Sequence, residues 1–133
     1  RGVWVWGAET PPAVLLTRGD RYAAELLEEL RERTPGIRIL CAGKLPSGTA
    51  EKLSLRDALA PAERRGRGNA YARGGWWLHD RILTDTALTV IRADVFARRD
   101  LLDPRSGTPL PTYRRQRYTG GIGRYFPIFL YIK

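Results

Sequence analysis

A run of arginines and tyrosines near the carboxyl end of the sequence carries its strongest chemical signal. The run contains Tyr113, Arg114, Arg115, Arg117 and Tyr118. Arg124 follows after a glycine-rich segment, residues 120–123, which we expect to form a tight turn. Arginine forks match the oxygens of a phosphate group, and tyrosine rings offer planes on which bases stack. The run therefore predicts a contact with nucleic acid, and an edge hairpin of merely solvated arginines is the alternative.

A second group of arginines lies near the middle of the chain. Its members are Arg64, Arg65, Arg67 and Arg73. Glycines separate several of them, so we expect an exposed basic loop at residues 62–72. Together with the carboxyl-terminal run and Arg124, these arginines form the predicted nucleic-acid-binding set. The accompanying aromatic residues favour RNA slightly over DNA, because unpaired RNA bases are commonly recognised by stacking.

The positive charge is concentrated in the second half of the chain. The whole sequence has 23 basic and 14 acidic side chains, a net charge of +9. Residues 1–63 contain nine of each sign, whereas residues 64–133 contain fourteen basic and five acidic side chains and carry the entire excess. A charge that served solubility alone would be spread evenly. The distribution therefore indicates a directed positive surface.

Two residues raise the question of catalysis. His79, the single histidine, can act as a general base if Asp80 or Asp85 orients its ring. Cys41 can act as a nucleophile if His79 lies close to it in space. A half-buried strand histidine and a small buried cysteine are the commoner roles of such residues. The sequence predicts no catalytic residue and leaves open whether the protein is an enzyme.

No metal site or cofactor is predicted. One cysteine and one histidine exclude a zinc site built from soft ligands. The aspartates of the second half match no nuclease spacing, and most of them fall at predicted turns. Gly43-Lys44 lacks the residue order of a phosphate-binding loop.

Two other functions remain open at this point. The chain can be a small enzyme or a ligand-binding domain that holds an anionic metabolite, a carboxylate or a phosphate, through Arg73 or Arg124. It can also be a structural subunit that contacts only protein partners in a larger assembly. Arginines spread over one surface would favour the nucleic-acid function, and arginines that converge in a concave pocket would favour the metabolite.

Length and composition limit the class of protein. The chain has 133 residues, of which 43% are hydrophobic, so we expect one compact domain over residues 1–133. No apolar run approaches the roughly 20 residues of a membrane-spanning helix, and no membrane contact is expected. A single cysteine favours a reducing, intracellular compartment, the cytoplasm or an organelle matrix.

The first half of the chain predicts one long helix, one short helix and several strands. The long helix, residues 18–33, has an apolar stripe of Tyr22, Ala23, Leu26, Leu27 and Leu30. Residues 2–7, 13–16 and 37–42 are predicted strands, the last of them central. Ser54 is predicted to cap the short helix.

The second half predicts antiparallel strands. Residues 75–83 and 87–92 are expected to pair as a hairpin, and residues 112–119 are expected to pair with residues 124–132. The segment from 103 to 107 is a strong turn signal. The predicted fold is α+β, a mostly antiparallel sheet with one long amphipathic helix and one short helix packed on one face.

Overall fold

The computed structural model describes residues 13–17 and 21–133, and it begins with a β–α–β unit. β1 (Ala13–Thr17) and β2 (Ile39–Gly43) lie parallel, and α1 (Arg21–Arg33) comes between them in the chain. The predicted strand at residues 2–7 and the predicted helix start at residues 18–20 lie outside the described residues.

The remaining elements are short. In chain order they are α2 (Thr49–Lys52), β3 (Arg56–Asp57), α3 (Ala60–Arg64), β4 (Ala70–Ala72), β5 (Gly75–Trp77), β6 (Arg81–Thr84), β7 (Val90–Val95), a 3-10 turn (Arg99–Leu101), β8 (Tyr113–Arg114), β9 (Arg117–Tyr118) and β10 (Ile128–Ile132).

A four-stranded sheet in the order β1-β2-β6-β3 forms the centre of the described structure. β2 is parallel to β1 and antiparallel to β6, and β6 is also antiparallel to β3. The register places Cys41 opposite Leu83 and Ala42 opposite Ile82. Because β2 is paired on both edges, the prediction that this strand is central is confirmed.

Apolar clusters lie on the two faces of this sheet, because side chains alternate along β2 and β6. The buried members of one cluster include Ala23, Leu27, Ile39, Cys41 and Leu83. Those of the other include Leu40, Leu59, Ile82, Val95 and Phe126. α1 therefore packs against one face. The segment that leads into α3 and the ribbon of β7 and β10 pack against the other.

The long helix is confirmed, but its buried stripe is narrower than predicted. Ala23 and Leu27, four residues apart, are fully buried, whereas Leu26 is 43% exposed and Tyr22 is exposed. Residues four apart lie on the same side of a helix, so Ala23 and Leu27 both face β2, whereas Leu26 and Tyr22 do not. The predicted burial of Leu26 is therefore wrong.

The predicted helix capped by Ser54 is also wrong. Ser54 has a φ of 53° and follows α2, and the chain then forms β3 before α3 begins. Asp57 accepts a hydrogen bond from the Leu59 N–H at 2.9 Å just before α3. Pro61 lies in the first turn of α3, where its missing N–H costs no helical hydrogen bond.

The predicted strand pairings of the second half are wrong. β6 pairs with β2 and β3 rather than with β7, and all four of its residues are buried. β7 pairs instead with β10 in an antiparallel ribbon. β8 and β9 pair with each other, so residues 112–119 form a hairpin rather than one strand. The predicted turn at 103–107 is confirmed, because the Gly107 N–H donates to the Asp103 carbonyl at 2.8 Å.

The fold class is confirmed. The protein is α+β, with mostly antiparallel sheets and with α1 as the one long helix among the three that the described residues form. In the described part of the chain, no helix has both the length and the apolar character needed to cross a membrane.

The two neighbouring leucines of α1 provide a direct test of this packing. Leu27 is 1% exposed and Leu26 is 43% exposed. Leu27→Ala is expected to lower the free energy of unfolding by about 2–5 kcal/mol, because it leaves a cavity against β2. Leu26→Ala, the matched control, should cost less than about 1 kcal/mol. Urea denaturation measures both values, and equal losses would contradict the orientation of α1.

Candidate nucleic-acid interface

The predicted arginine–tyrosine run forms the exposed β8–β9 hairpin. Tyr113 pairs with Tyr118 and Arg114 with Arg117 across the two strands. The tyrosine rings meet edge to face, with centroids 5.6 Å apart, and the two residues remain 62% and 65% exposed. The loop is Arg115-Gln116, with φ of 47° and 66°. Positive φ at both loop positions is typical of a type I′ turn, which suits the twist of a two-residue hairpin.

This hairpin contains features that cost stability. Asn and Gly are the residues that tolerate a type I′ turn, so an arginine and a glutamine there are strained. Arg114 and Arg117 lie directly opposite each other, a like-charge pair that is unfavourable. Asp103 relieves part of this cost through an ion pair with Arg114. The Arg105 backbone N–H and the Arg114 guanidinium hold the pKa of Asp103 below its usual value.

The β4–β5 hairpin has the same arrangement. Its loop is Arg73-Gly74, with φ of 52° and 80°, again typical of a type I′ turn. Tyr71 lies directly opposite Trp76, and their rings meet edge to face at 5.3 Å. Trp76 in turn stacks on the buried ring of Phe126, with centroids 5.6 Å apart and planes 16° from parallel. Both hairpins thus have an exposed aromatic pair across their two strands. In both, the first loop residue is an arginine, two positions after the first aromatic residue of the pair.

A second row of rings lies on the other side of the β4–β5 hairpin. His79 stacks on Tyr125 with centroids 4.2 Å apart, and Trp77 meets the His79 ring edge-on at 5.0 Å. Tyr125 is bridged to Ala70, the first residue of β4. Trp77 and Tyr125 remain partly exposed, whereas His79 is buried. The predicted residue Arg124 therefore lies beside this row and is exposed.

Asn69 holds these segments together. Its side chain is fully buried, and its Oδ1 accepts from the His79 backbone N–H at 2.7 Å. Its Nδ2 donates to the Asp80 carboxylate at 3.0 Å and to the Phe126 carbonyl at 3.3 Å. Gly68 precedes it, and a Cβ there would lie 2.4 Å from the Trp77 nitrogen, so only glycine permits this approach. Sequence reasoning missed Asn69, because one asparagine in a glycine-rich loop is typical of any turn.

The basic loop that follows α3 is tied to β7. Arg67 forms an ion pair with Asp94 at 2.9 Å and donates to the Val95 carbonyl at 3.2 Å. Arg65 approaches the same carboxylate at 3.8 Å. Asp94 is buried, so these contacts fix the position of the loop. The prediction of an exposed loop over residues 62–72 holds only in part: residues 63–67 are exposed, whereas residues 68–70 are buried and lead into β4. Two of the exposed arginines are already partly engaged within the protein.

The ten predicted residues thus divide into three roles. Arg65, Arg67 and Arg114 form ion pairs with aspartates. Tyr113 and Tyr118 form the aromatic pair of the β8–β9 hairpin. The other five are exposed and form no ion pair with the carboxylates of residues 13–17 and 21–133: Arg64, Arg73, Arg115, Arg117 and Arg124. One arginine of this last set lies at the end of each hairpin.

Arg81, the first residue of β6, is a buried arginine that the sequence analysis did not single out. Arg81 donates to both Glu63 oxygens, at 2.6 and 2.9 Å, and to Asp57 at 2.6 Å. Its side chain is 5% exposed. The hydrogen bonds from Arg81 hold the pKa of Glu63 below its usual value. The signal for this residue was the charge itself, because an arginine at the start of a fully buried strand must be paired.

A pocket of about 280 Å³ opens beside Arg81, and we call it the Arg81 pocket. It lies where β2 ends and β6 begins. Its lining includes Lys44, Ser47, Glu63, Trp77, His79 and Arg81. Neither Arg73 nor Arg124 lines it, so the arginines proposed for a metabolite do not converge here.

The candidate nucleophile is a core residue. Cys41 is buried in the cluster beneath α1, and burial raises the pKa of its thiol to about 11. It is therefore a neutral core residue at physiological pH, which disfavours the nucleophile interpretation. Within the described ranges, no group of three or more His, Cys, Asp or Glu side chains is placed to hold a metal ion.

Comparisons with protein-family models, with curated proteins and with solved structures find no match to this chain.

The Arg81–Glu63 pair predicts a specific response to acid. The folded pKa of Glu63 is lowered, so its contribution to stability is present above the unfolded pKa of about 4.3 and is lost as the pH falls through the lower folded value. Glu63→Gln should lower stability at neutral pH and reduce the loss of stability on acidification. Glu29→Gln, at an exposed pair with Arg33, is the control and should change little. Urea melts at several pH values measure this, and identical pH profiles for wild type and Glu63→Gln would contradict it.

Proposed function

We propose that this protein binds single-stranded nucleic acid, RNA in preference to DNA, and that binding is its function rather than catalysis. The observation that carries the proposal is the arrangement shared by the two hairpins. In each, an exposed aromatic pair lies behind an arginine at the first position of a type I′ loop. Aromatic rings stack on bases and arginines contact phosphates, so one hairpin supplies both contacts within a few residues.

The two hairpins are close enough to engage one strand. Six residues lie between Tyr118 of β9 and Tyr125, which is bridged to β4, so seven residue steps join them. A fully extended chain of that length spans at most about 25 Å. Arg124 lies within this connection and is exposed. A single strand of several nucleotides would therefore contact both aromatic pairs and the arginines between them.

The strained loop residues and the facing like charges in the hairpins lower stability, and they therefore support a role beyond folding. Arg73 and Arg115 occupy the left-handed region of backbone space, and Arg114 faces Arg117 across β8 and β9. Local choices that oppose stability are expected at functional sites, because there another interaction requires them. A phosphate between two facing arginines would turn their repulsion into a shared attraction.

A single strand fits these features better than a duplex. Stacking requires an unpaired base, and the tyrosines at the β8–β9 hairpin are exposed where such a base would meet them. A surface hollow of about 560 Å³ also lies along the β4–β5 hairpin, lined in part by Arg73, Trp76 and Trp77. This hollow places an arginine beside two indole rings.

The alternative of an anionic metabolite requires a pocket with uncompensated positive charge. Arg81 lines the Arg81 pocket, but Asp57 and Glu63 already neutralise it. Arg73 lines the open hollow along the β4–β5 hairpin, but no second arginine joins it there. The other exposed arginines lie on hairpins and loops. An intracellular location and a place in a larger assembly complete the proposal, because that is where RNA and its protein partners are found.

Binding should be steeply dependent on salt and on the exposed tyrosines. We expect the logarithm of the affinity for a single-stranded RNA of about 12 nucleotides to fall with log salt by about 0.7 per phosphate contact. Tyr118→Ala should cost about 1–3 kcal/mol with this RNA and much less with a duplex. Tyr131→Ala, at an exposed tyrosine on β10, is the matched control. Fluorescence anisotropy measures these affinities, and absence of binding at low salt would refute the proposal.

Substitutions in the two hairpin loops should affect stability and RNA affinity differently. Arg73→Asn creates the Asn-Gly loop that a type I′ turn prefers, so stability should rise by about 0.5–1 kcal/mol. The same change removes a phosphate contact, so RNA affinity should fall and its salt dependence should become weaker. Gln116→Gly relieves strain without removing charge and should stabilise the protein with unchanged affinity. If Arg73→Asn leaves RNA binding intact, this arginine is not part of the interface.

A further inference from the structure

The Arg81 pocket has the position and the walls of a ligand site. It lies at the carboxyl end of β2, where loops leave the sheet and ligands commonly bind in folds with parallel strands. Trp77 lines it and is partly exposed, so an aromatic surface is available to a ligand. Ser47 and Lys44 lie on the exposed loop that forms its rim. A volume of about 280 Å³ suits one small ring system.

The charges of the pocket balance. Arg81 is positive and bonds to the carboxylates of Asp57 and Glu63, and Lys44 adds the second positive charge. Asp57 does not line the pocket, but its ion pair with Arg81, together with Glu63, balances the charges of Arg81 and Lys44, so no excess is left to attract a phosphate or a carboxylate. A neutral ligand is therefore favoured over an anion.

The polar groups that a ligand can reach lie on Glu63 and on the rim of the pocket. The Nε of Arg81 has no hydrogen-bond partner among the residues that the structure describes, but it is buried and has almost no surface open to a ligand. Glu63 accepts from Arg81 and has further lone pairs for a ligand N–H. The Ser47 hydroxyl and the Lys44 ammonium group on the rim are the donors. The pocket thus offers donors and an acceptor next to an indole ring.

We propose that the Arg81 pocket binds one nucleobase, stacked on Trp77 and hydrogen-bonded to Glu63 and to the donors of the rim. A nucleobase is neutral and planar, and its edge presents donors and acceptors side by side. The inference builds on the proposed function, since Trp77 belongs to the β4–β5 hairpin and a bound strand could place one unpaired base in the pocket. The same chemistry would accept the base of a free nucleoside.

The test uses the full chain, labelled for NMR, and titrates it with free nucleosides and separately with inorganic phosphate. We expect adenosine or cytidine to shift the backbone amide resonances of Leu45, Ser47 and Leu78. Inorganic phosphate should not shift these resonances and should not displace a bound nucleoside. Trp77→Ala should weaken nucleoside binding by about 5- to 100-fold, the loss expected for one stacked ring. Tyr131→Ala is the matched control, because Tyr131 is an exposed aromatic residue on β10 that does not line the pocket. Ser47→Phe, at an exposed rim residue, should block the pocket without altering the core.

The outcomes separate this inference from the proposed function. Nucleoside shifts that miss the pocket, or nucleoside binding that Tyr131→Ala and Trp77→Ala weaken equally, would overturn the pocket whether or not RNA oligomers bind. Phosphate that binds in competition with nucleosides would also overturn it, because the pocket would then select an anion. Nucleoside binding without any oligomer binding would support the pocket and overturn the single-strand function. Tyr118→Ala should weaken the oligomer and leave nucleoside binding in the pocket unchanged.

Discussion

The candidate interface depends on one buried amide. Asn69 bonds to the backbone of His79, to the carboxylate of Asp80 and to the carbonyl of Phe126. Its own backbone pairs with Trp77 and Phe126, so three separate segments meet at one residue. An apolar residue of similar size would leave several of these groups buried without partners, at about 1–3 kcal/mol each. The aromatic rows and the β4–β5 hairpin are positioned only as long as this network is complete.

The arginines fall into two groups: those that pair with a buried carboxylate and those that do not. Arg67, Arg81 and Arg114 meet Asp94, Asp57 with Glu63, and Asp103, and the three aspartates are largely shielded from solvent. Such pairs hold loops against the sheet, because a buried carboxylate requires a partner. The arginines at loop ends have no such carboxylate nearby in the described structure, and their charge remains directed outward. Some arginines therefore hold loops against the sheet, and others form the exposed positive surface.

The sequence predicted the parts of the fold that local patterns determine. The period of α1, the central apolar strand β2 and the Asp-Pro turn were visible, because each depends on neighbouring residues. The pairings of β6, β7 and β10 were missed, because their partners are set by packing across the sheet. The β8–β9 hairpin was missed for a different reason: Arg115-Gln116 lacks the Asn-Gly signal of its turn type. The exposed residues of the candidate site were visible as charge and aromaticity, whereas Asn69 and Arg81 act through contacts distant in sequence.

In the proposed function, the edge-to-face pairs supply the short hairpins with rings that are already ordered. A free tyrosine loses side-chain entropy when it stacks on a base, and that loss reduces affinity. In the β8–β9 hairpin each tyrosine already packs against the other, and in the β4–β5 hairpin Trp76 is held between Tyr71 and the buried ring of Phe126. The rings are therefore ordered before any ligand arrives. The type I′ loops fix the strand twist that keeps each pair in register, so the strain at the loop arginines and the order of the rings are two consequences of the same turn.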